Sequence, residues 1–261
     1  MKNCITLYTK DFSTKKDFYI EKKKFLTLGY RTIFLEHHSV TLCKYDEIIS
    51  LGSQCNPGLS LRKLNLKKET YPFDWVRSNS KIIYDILVNG CDNYLDFGEE
   101  TTGEYFVKDI ECIDFKDFPI SHINRYGQYF THYEIIEKHE LYLKFKKYFN
   151  RFFELLSSNK TVLFIHCHEE YIYNKKSRDN SELFYDYLCK INDVLEQKYP
   201  NLNFEIINID INNNYKNYKN IKNLSIKYEF RFSDYGETHY KTFFNPCRNA
   251  VTAAIKDYLK K

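Results

Sequence analysis

The stretch of sequence that decides the fold is Asp46-Glu47-Ile48-Ile49-Ser50-Leu51-Gly52-Ser53-Gln54-Cys55-Asn56-Pro57. Its apolar residues 48–51 predict a buried strand, Gly52 a turn, and Asn56-Pro57 the N-cap and first residue of a helix. This order places the thiol of Cys55 at the positive end of a helix dipole. Backbone N–H groups there favour the thiolate, which is the nucleophilic form of cysteine. The stretch therefore suggests a cysteine-based enzyme.

Predicted helices and strands alternate along the rest of the chain. Helical periodicity and compact apolar runs predict helices over residues 57–66, 80–89, 134–157, 181–199 and 245–260, and strands over residues 161–165, 204–211 and 224–232. This alternation predicts an α/β layered domain with a mostly parallel central sheet flanked by helices. Sites in such sheets form beyond the C-terminal ends of strands, where we expect both Cys55 and His166.

Residues 1–45 have a different pattern from the remainder. Residues 5–8 predict a short strand, residues 12–28 a basic helix, and residues 31–42 a hairpin. We therefore expect an N-terminal accessory segment over residues 1–45 and a single α/β domain over residues 46–261. A chain of 261 residues can form one domain with such an addition.

Composition limits the partners and the compartment. The 39 basic and 35 acidic residues nearly balance, and the basic runs are short, which favours solvated helix faces over a nucleic-acid site. The sequence contains no apolar run long enough to cross a membrane and no segment resembling a signal peptide. Its eight cysteines have irregular spacing and no CxxC pair. We read them as reduced thiols of a cytoplasmic protein.

Several common sites are disfavoured by spacing. A cysteine-phosphatase loop requires arginine six residues after the nucleophile, but Leu61 stands there and Arg62 follows one residue late. The sequence lacks the GxGxxG, GxxxxGK[ST] and GxSxG motifs. His166 and His168 have strand spacing that suits two metal ligands, whereas zinc requires three or four. We expect no metal and no cofactor.

A cysteine nucleophile requires a base, and eight histidines are candidates. His132 precedes the long predicted helix, and His166 follows the predicted strand 161–165; spacing alone leaves the choice open. Asp74 lies between two large aromatic residues, so we expect a buried carboxylate that either orients a histidine or caps the next helix. The amide of Gln54 is a candidate donor to an oxyanion.

Several of these residues together resemble a known family. Residues 48–55, Leu61-Arg62 and the block Pro72-Phe73-Asp74-Trp75 are similar to an uncharacterised family described as papain-like cysteine peptidases, found in bacteria and large DNA viruses. Further matches are the histidine before a long helix, an Arg-Phe step and an LFI strand. These fall at His132, Arg151-Phe152 and residues 163–165, so the resemblance covers about residues 46–211.

Two departures from the family pattern stand out. The family tends to carry arginine after the LFI strand, where this chain has His166. The C-terminal aspartate–histidine–aromatic block is reduced to Glu237-Thr238-His239-Tyr240, and residues 1–45 have no identified counterpart. His132 therefore fits the family position of the base, while His166 fits the topology of a strand-end histidine.

The resemblance implies a cysteine hydrolase, a peptidase, isopeptidase or amidase, with Cys55 as nucleophile. His132 would be the base, with His166 in reserve, Asp74 would orient the imidazole, and Gln54 would stabilise the oxyanion. The substrate would be a protein or peptide, and a viral member would act in the host cytoplasm or the virion. Two alternatives are open: a sugar or other group transferase that binds phosphate at the strand–turn–helix, and a non-catalytic interaction protein.

Overall fold

We describe the fold from a computed structural model. It describes residues 4–8, 15–36, 39–52, 55–76, 78–97, 124–126, 130, 133, 136–168, 181–211, 215–226 and 245–260. Two sheets are present within these ranges. The strands of one sheet are antiparallel, and those of the other are parallel.

The first sheet is antiparallel and lies near the N-terminus. It contains β1 (Cys4–Tyr8), β2 (Arg31–Glu36) and β3 (Ser39–Cys43) in the order β1-β3-β2, with α1 (Lys15–Thr27) between β1 and β2. The predicted hairpin is thus β2 paired with β3. Phe25 of α1 packs on Leu7 and Tyr30, which form a small apolar cluster of their own.

The second sheet is parallel, and its strands are adjacent in chain order. It consists of β4 (Glu47–Gly52), β5 (Thr161–His168), β6 (Asn203–Ile211) and β7 (Ile221–Ile226). Within the described residues, α1 is followed by six further helices: α2 (Cys55–Lys63), α3 (Ser80–Asn89), α4 (Asp92–Leu95), α5 (Lys138–Leu156), α6 (Ser181–Lys198) and α7 (Asn245–Lys260). The predicted layered α/β fold is confirmed.

Strand register places residues from all four strands in one row. Gly52 of β4 pairs with His166 of β5, His166 pairs with Asn208 of β6, and Asn208 pairs with Asn223 of β7. This row lies towards the C-terminal ends of the strands. Three of its four residues, His166, Asn208 and Asn223, have polar side chains that can bond to one another.

Helices cover both faces of the parallel sheet, as its buried strands require. One face carries Val162 and Phe164 of β5 into a core shared with α3, α5 and α6. The opposite face carries Leu163 and Ile165 into a core shared with α2 and α7. Because side chains alternate along a strand, His166 lies on the face of Val162 and Phe164.

Phe73 lies at the centre of the larger core. Its ring is fully buried and makes edge-to-face contacts with Tyr94, Phe149 and Phe152, with ring centroids 5.5 to 6.3 Å apart. Edge-to-face packing aligns the positive edge of one ring with the negative face of another. The loop that carries Phe73 is therefore held by the core.

The strands and helices begin and end at slightly different residues from those predicted. β5 continues to His168 instead of ending at residue 165, because β4 pairs with it as far as His166 and β6 as far as His168. His166 is consequently inside a strand and not beyond it. β7 begins at Ile221 instead of residue 224, and α5 begins at Lys138 instead of residue 134. The sequence also predicts short, aromatic-rich strands around residues 105–107 and 110–113, and both lie outside the described residues.

The expectation that all eight cysteines are reduced is wrong at Cys43, which is disulfide-bonded. Spacing along a chain does not reveal which cysteines the folded strands bring together. Cys55, Cys91, Cys167 and Cys189 are not disulfide-bonded. Across the described ranges, no helix has the length and apolar character needed to cross a membrane.

Candidate active site

Cys55 is the first residue of α2, is not disulfide-bonded and is half-buried. The predicted N-cap at Asn56 is wrong, since the helix starts one residue earlier. Asn56 is instead buried in the first turn, where its Oδ1 accepts a hydrogen bond from Arg248 Nε at 3.3 Å. Pro57 is tolerated because the N–H groups of a first helical turn have no intrahelical acceptor. Cys55 therefore lies at the N-terminus of α2, which is the positive end of the helix dipole.

The turn between β4 and α2 depends on a glycine. Gly52 has a φ of 90°, a conformation that other residues rarely adopt. Its N–H donates to Ser50 Oγ at 3.1 Å, and an added Cβ would lie 2.9 Å from the carbonyl oxygen of Ser78. The end of β4 therefore packs tightly beneath the loop that leads into α3.

Two contacts fix α2 in position. Ser60 Oγ accepts a hydrogen bond from Thr252 Oγ1 of α7 at 2.9 Å, inside the second core. Gly58 lies against Asp74, where an added Cβ would come within 2.9 Å of the backbone oxygen and 3.1 Å of Oδ1. The first turns of α2 are consequently clamped between α7 and the loop containing Asp74.

His166 is a buried imidazole with a defined partner. The residue is 1% exposed, and its Nδ1 lies 2.8 Å from Asn208 Oδ1. Burial lowers the pKa of His166 from 6.5 to about 4, although the hydrogen bond with Asn208 opposes the shift. The ring is therefore neutral at pH 7 and can accept a proton.

A second amide continues this polar row across the sheet. Asn208 Nδ2 donates to Asn223 Oδ1 at 2.8 Å. Neither asparagine was predicted as a site residue. The available signal was the pattern of β6, where Asn208 and Asp210 interrupt an apolar run at alternate positions and so share one face with His166.

Asp74 is buried, and its partners among the described residues are Lys67 and Tyr71, neither of which is a histidine. Its Oδ2 accepts hydrogen bonds from Lys67 Nζ and from the backbone N–H of Tyr71, both at 2.7 Å. Burial raises the pKa of the Asp74 carboxyl, while Lys67 and the Tyr71 N–H oppose that shift. Lys67 also lies over the Trp75 ring, 4.5 Å from its centroid. These contacts fold the segment between α2 and α3 onto the first turns of α2.

Asp74 does not cap the following helix, which was the other expectation for it. The N-cap of α3 is Asn79, whose Oδ1 accepts from the N–H of Ile82 at 2.9 Å. Arg151, the arginine of the Arg-Phe step, donates to the Thr70 carbonyl at 2.7 Å and pairs with Glu69 at 2.9 Å. Asp74 and Arg151 therefore hold the same loop.

The fold brings Cys55 and His166 to the same end of the parallel sheet, the end at which its strands terminate. Gly52, three residues before the cysteine, is the register partner of His166, and neighbouring strands lie about 5 Å apart. Gln54 and His132 lie outside the described residues. Within the described side chains, no group of three or more His, Cys, Asp or Glu residues is arranged to hold a metal ion.

Comparisons with known proteins match the part of the chain that contains these residues. A family model described as "Putative papain-like cysteine peptidase" matches residues 46–214. "Uncharacterized protein R408" of Acanthamoeba polyphaga mimivirus is 35% identical over 159 residues, which cover 55% of this chain and 70% of the viral protein. No solved structure matches the chain.

Proposed function

Because the chain belongs to the family described as "Putative papain-like cysteine peptidase", we propose that it is a cysteine hydrolase cleaving a peptide, isopeptide or related amide bond. The observation that carries this proposal is a neutral imidazole, fixed by an asparagine, at the end of the sheet where a helix begins with a cysteine that forms no disulfide. Cysteine, histidine and asparagine form a recurring set in papain-like enzymes.

Cys55 is the proposed nucleophile and His166 the proposed base. The imidazole removes the thiol proton as sulfur bonds to the carbonyl carbon, and it returns that proton to the amine as the C–N bond breaks. Water then hydrolyses the acyl-enzyme. The imidazole is neutral at pH 7, so its unprotonated nitrogen is available to accept the thiol proton.

The remaining roles divide between orientation and charge stabilisation. Asn208 holds the imidazole of His166 through its Oδ1. Gln54 and backbone N–H groups at the start of α2 are the proposed donors to the oxyanion. In this scheme Asp74 supports α2 through its contacts with Lys67 and Gly58 and is not the residue that orients the imidazole.

The test is labelling of the full chain with a peptide-based electrophile directed at cysteine-peptidase sites. We expect one label per chain, lost in Cys55→Ala and slowed at least roughly 100-fold in His166→Ala, because a base supplies that much rate. Cys91→Ala and Cys189→Ala are matched controls. Both thiols are free and half-buried, and burial raises their pKa, so each variant should label as the wild type does.

Other outcomes point to other assignments. Equal labelling of Cys55→Ala and wild type contradicts the proposal. Loss of labelling in His132→Ala, with His166→Ala unaffected, transfers the role of base to His132. Thermal stabilisation by a nucleotide sugar, without labelling of Cys55, would favour the group transferase instead.

A further inference from the structure

The polar row that holds His166 ends at a backbone carbonyl on the surface. Asn223 Nδ2 donates to the carbonyl oxygen of Lys216 at 2.7 Å and to Tyr185 Oη at 2.9 Å. Tyr185 Oη in turn donates to the same carbonyl at 2.6 Å. Lys216 precedes β7 and is exposed. A continuous chain of hydrogen bonds therefore joins a surface segment to the buried imidazole.

The carbonyl at the surface sets the direction of every bond in this chain. A carbonyl oxygen can only accept, so the NH₂ group of Asn223 must face Lys216 and its Oδ1 must face Asn208. Asn208 must then present Nδ2 to Asn223 and Oδ1 to His166. Since Oδ1 can only accept, Nδ1 of His166 carries the proton.

We propose that Asn223 is a positioning residue that uses the Lys216 carbonyl to hold His166 as the Nδ1–H tautomer. The lone pair is then on Nε2, the nitrogen left to act as base. The catalytic meaning of this assignment rests on the proposed function, whereas the tautomer itself does not. Turning the Asn208 amide over would set two oxygens against each other at Asn223 and two N–H groups against each other at His166.

The anchor belongs to a surface segment with further contacts. Asn217 Oδ1 accepts from the backbone N–H of Asn223 at 2.9 Å, which fixes the start of β7. The Tyr215 ring stacks on Tyr185 with centroids 4.2 Å apart and planes 6° apart. Residues 215–217 thus hold both donors that converge on the Lys216 carbonyl. The protonation pattern of the buried ring depends on how this segment folds.

The experiment measures the tautomer directly, by NMR of the full chain with ¹⁵N-labelled histidine. Two-bond nitrogen–proton correlations at pH 7 distinguish Nδ1–H from Nε2–H, with His166→Gln identifying the signal. We expect Nδ1–H in the wild type. Asn223→Ala frees the Asn208 amide to turn, so its His166 signal should shift towards Nε2–H.

Two variants separate orientation from simple packing. Asn223→Asp offers Asn208 only oxygen acceptors. Its second oxygen has to move away from the Lys216 carbonyl and can accept a hydrogen bond from Tyr185 Oη, so this variant should retain Nδ1–H. Tyr185→Phe keeps the stacked ring and leaves the Lys216 carbonyl to Asn223, so it should also retain Nδ1–H. In the labelling assay, Asn223→Ala should react roughly 10- to 100-fold more slowly at Cys55 than Asn223→Asp, because the wrong tautomer cannot accept the thiol proton.

Each result decides the inference. An Nε2–H ring in the wild type overturns it, even if Asn223→Ala fails to fold. An unchanged tautomer in folded Asn223→Ala also overturns it. If no electrophile labels Cys55, the proposed function fails, but the NMR signals still establish whether Asn223 sets the tautomer.

Discussion

At the scale of single residues, the buried imidazole determines how the protein responds to acid. His166 has a pKa of about 4 in the folded chain against 6.5 for a solvated histidine. The unfolded chain therefore binds a proton first as the pH falls. Stability from neutral burial of the ring is complete above about pH 6.5 and is lost as the pH approaches 4.

We predict that the free energy of unfolding falls by up to roughly 3 kcal/mol between pH 7 and pH 4 because of this one group. Urea denaturation at several pH values measures the fall. His166→Gln removes the titrating ring and should flatten this part of the profile. His139→Gln replaces an exposed histidine of α5 and should follow the wild type. A wild-type slope unchanged in His166→Gln would contradict the prediction.

Asp74 shows how a residue in a family pattern can support the fold. Its carboxylate is 1% exposed and is held by Lys67 and the Tyr71 N–H. Removing one partner of a buried ion pair leaves the other without compensation. Its burial between two aromatic residues was predictable from sequence. The identity of its charged partner was not predictable, because Lys67 approaches Asp74 only once the loop has folded over α2.

At the scale of elements, the turn between β4 and α2 is the sharpest constraint on the site. Gly52 and Gly90 share a φ of 90°. They differ in surroundings, because a Cβ at Gly52 would meet Ser78 at 2.9 Å, whereas none of the described atoms lies within 4 Å of a Cβ at Gly90. The two glycines therefore form a matched pair.

We predict that Gly90→Ala costs about 1 kcal/mol, from backbone strain alone. Gly52→Ala should cost roughly 1 to 3 kcal/mol more, because it adds a clash with backbone. It should also displace Cys55 and slow its labelling. Thermal melts and the electrophile assay test both effects. An equal loss of stability in the two variants would contradict the prediction, because it would show that the β4–α2 turn accommodates the added methyl group without strain.

Sequence periodicity predicted the elements well where each had its own apolar face. The helix over residues 80–89 and the closing helix over residues 245–260 agree with α3 and α7 at both ends. It failed where neighbours decided the outcome. β5 extends through His166 because β4 and β6 pair with it there, and α2 starts at Cys55 with Asn56 already inside the helix.

The candidate site was predictable only in part, for a similar reason. Cys55 was predictable from the local sequence, because a strand, a glycine turn and a helix follow one another around it. Asn208 and Asn223 become site residues only through the register of three strands distant in the chain. No local pattern states that register. The alternation of polar residues in β6 was the single trace of it.

At the scale of the whole molecule, the predicted boundary at residue 46 falls beside a buried residue. Tyr45 is 5% exposed, packs in the core shared with α2 and α7, and donates to Glu205 Oε2 at 2.7 Å. The antiparallel sheet β1–β3 is separate from the parallel sheet. The division into an N-terminal segment over residues 1–45 and a domain over residues 46–261 remains a prediction. Its boundary depends on whether Tyr45 belongs to the domain.

We predict that residues 44–261 fold without the preceding sheet and melt several degrees above residues 46–261, which lack Tyr45. A buried tyrosine with a hydrogen bond contributes about 2 to 4 kcal/mol, and each kcal/mol shifts Tm by roughly 2 to 4 °C at this size. Circular dichroism melts measure the difference. Failure of both fragments to fold would mean that residues 1–43 are integral to the domain.

The strand order also has a kinetic consequence. β5, β6 and β7, with α6 between β5 and β6, lie within residues 161–226, so their contacts close short loops. β4 ends at Gly52, and its partner begins only at Thr161. Contacts between distant segments carry a larger loop-closure entropy and form later. The edge strand β4, which ends three residues before Cys55, would thus dock last in folding. Cys55 would then reach its final position only after His166 is already buried.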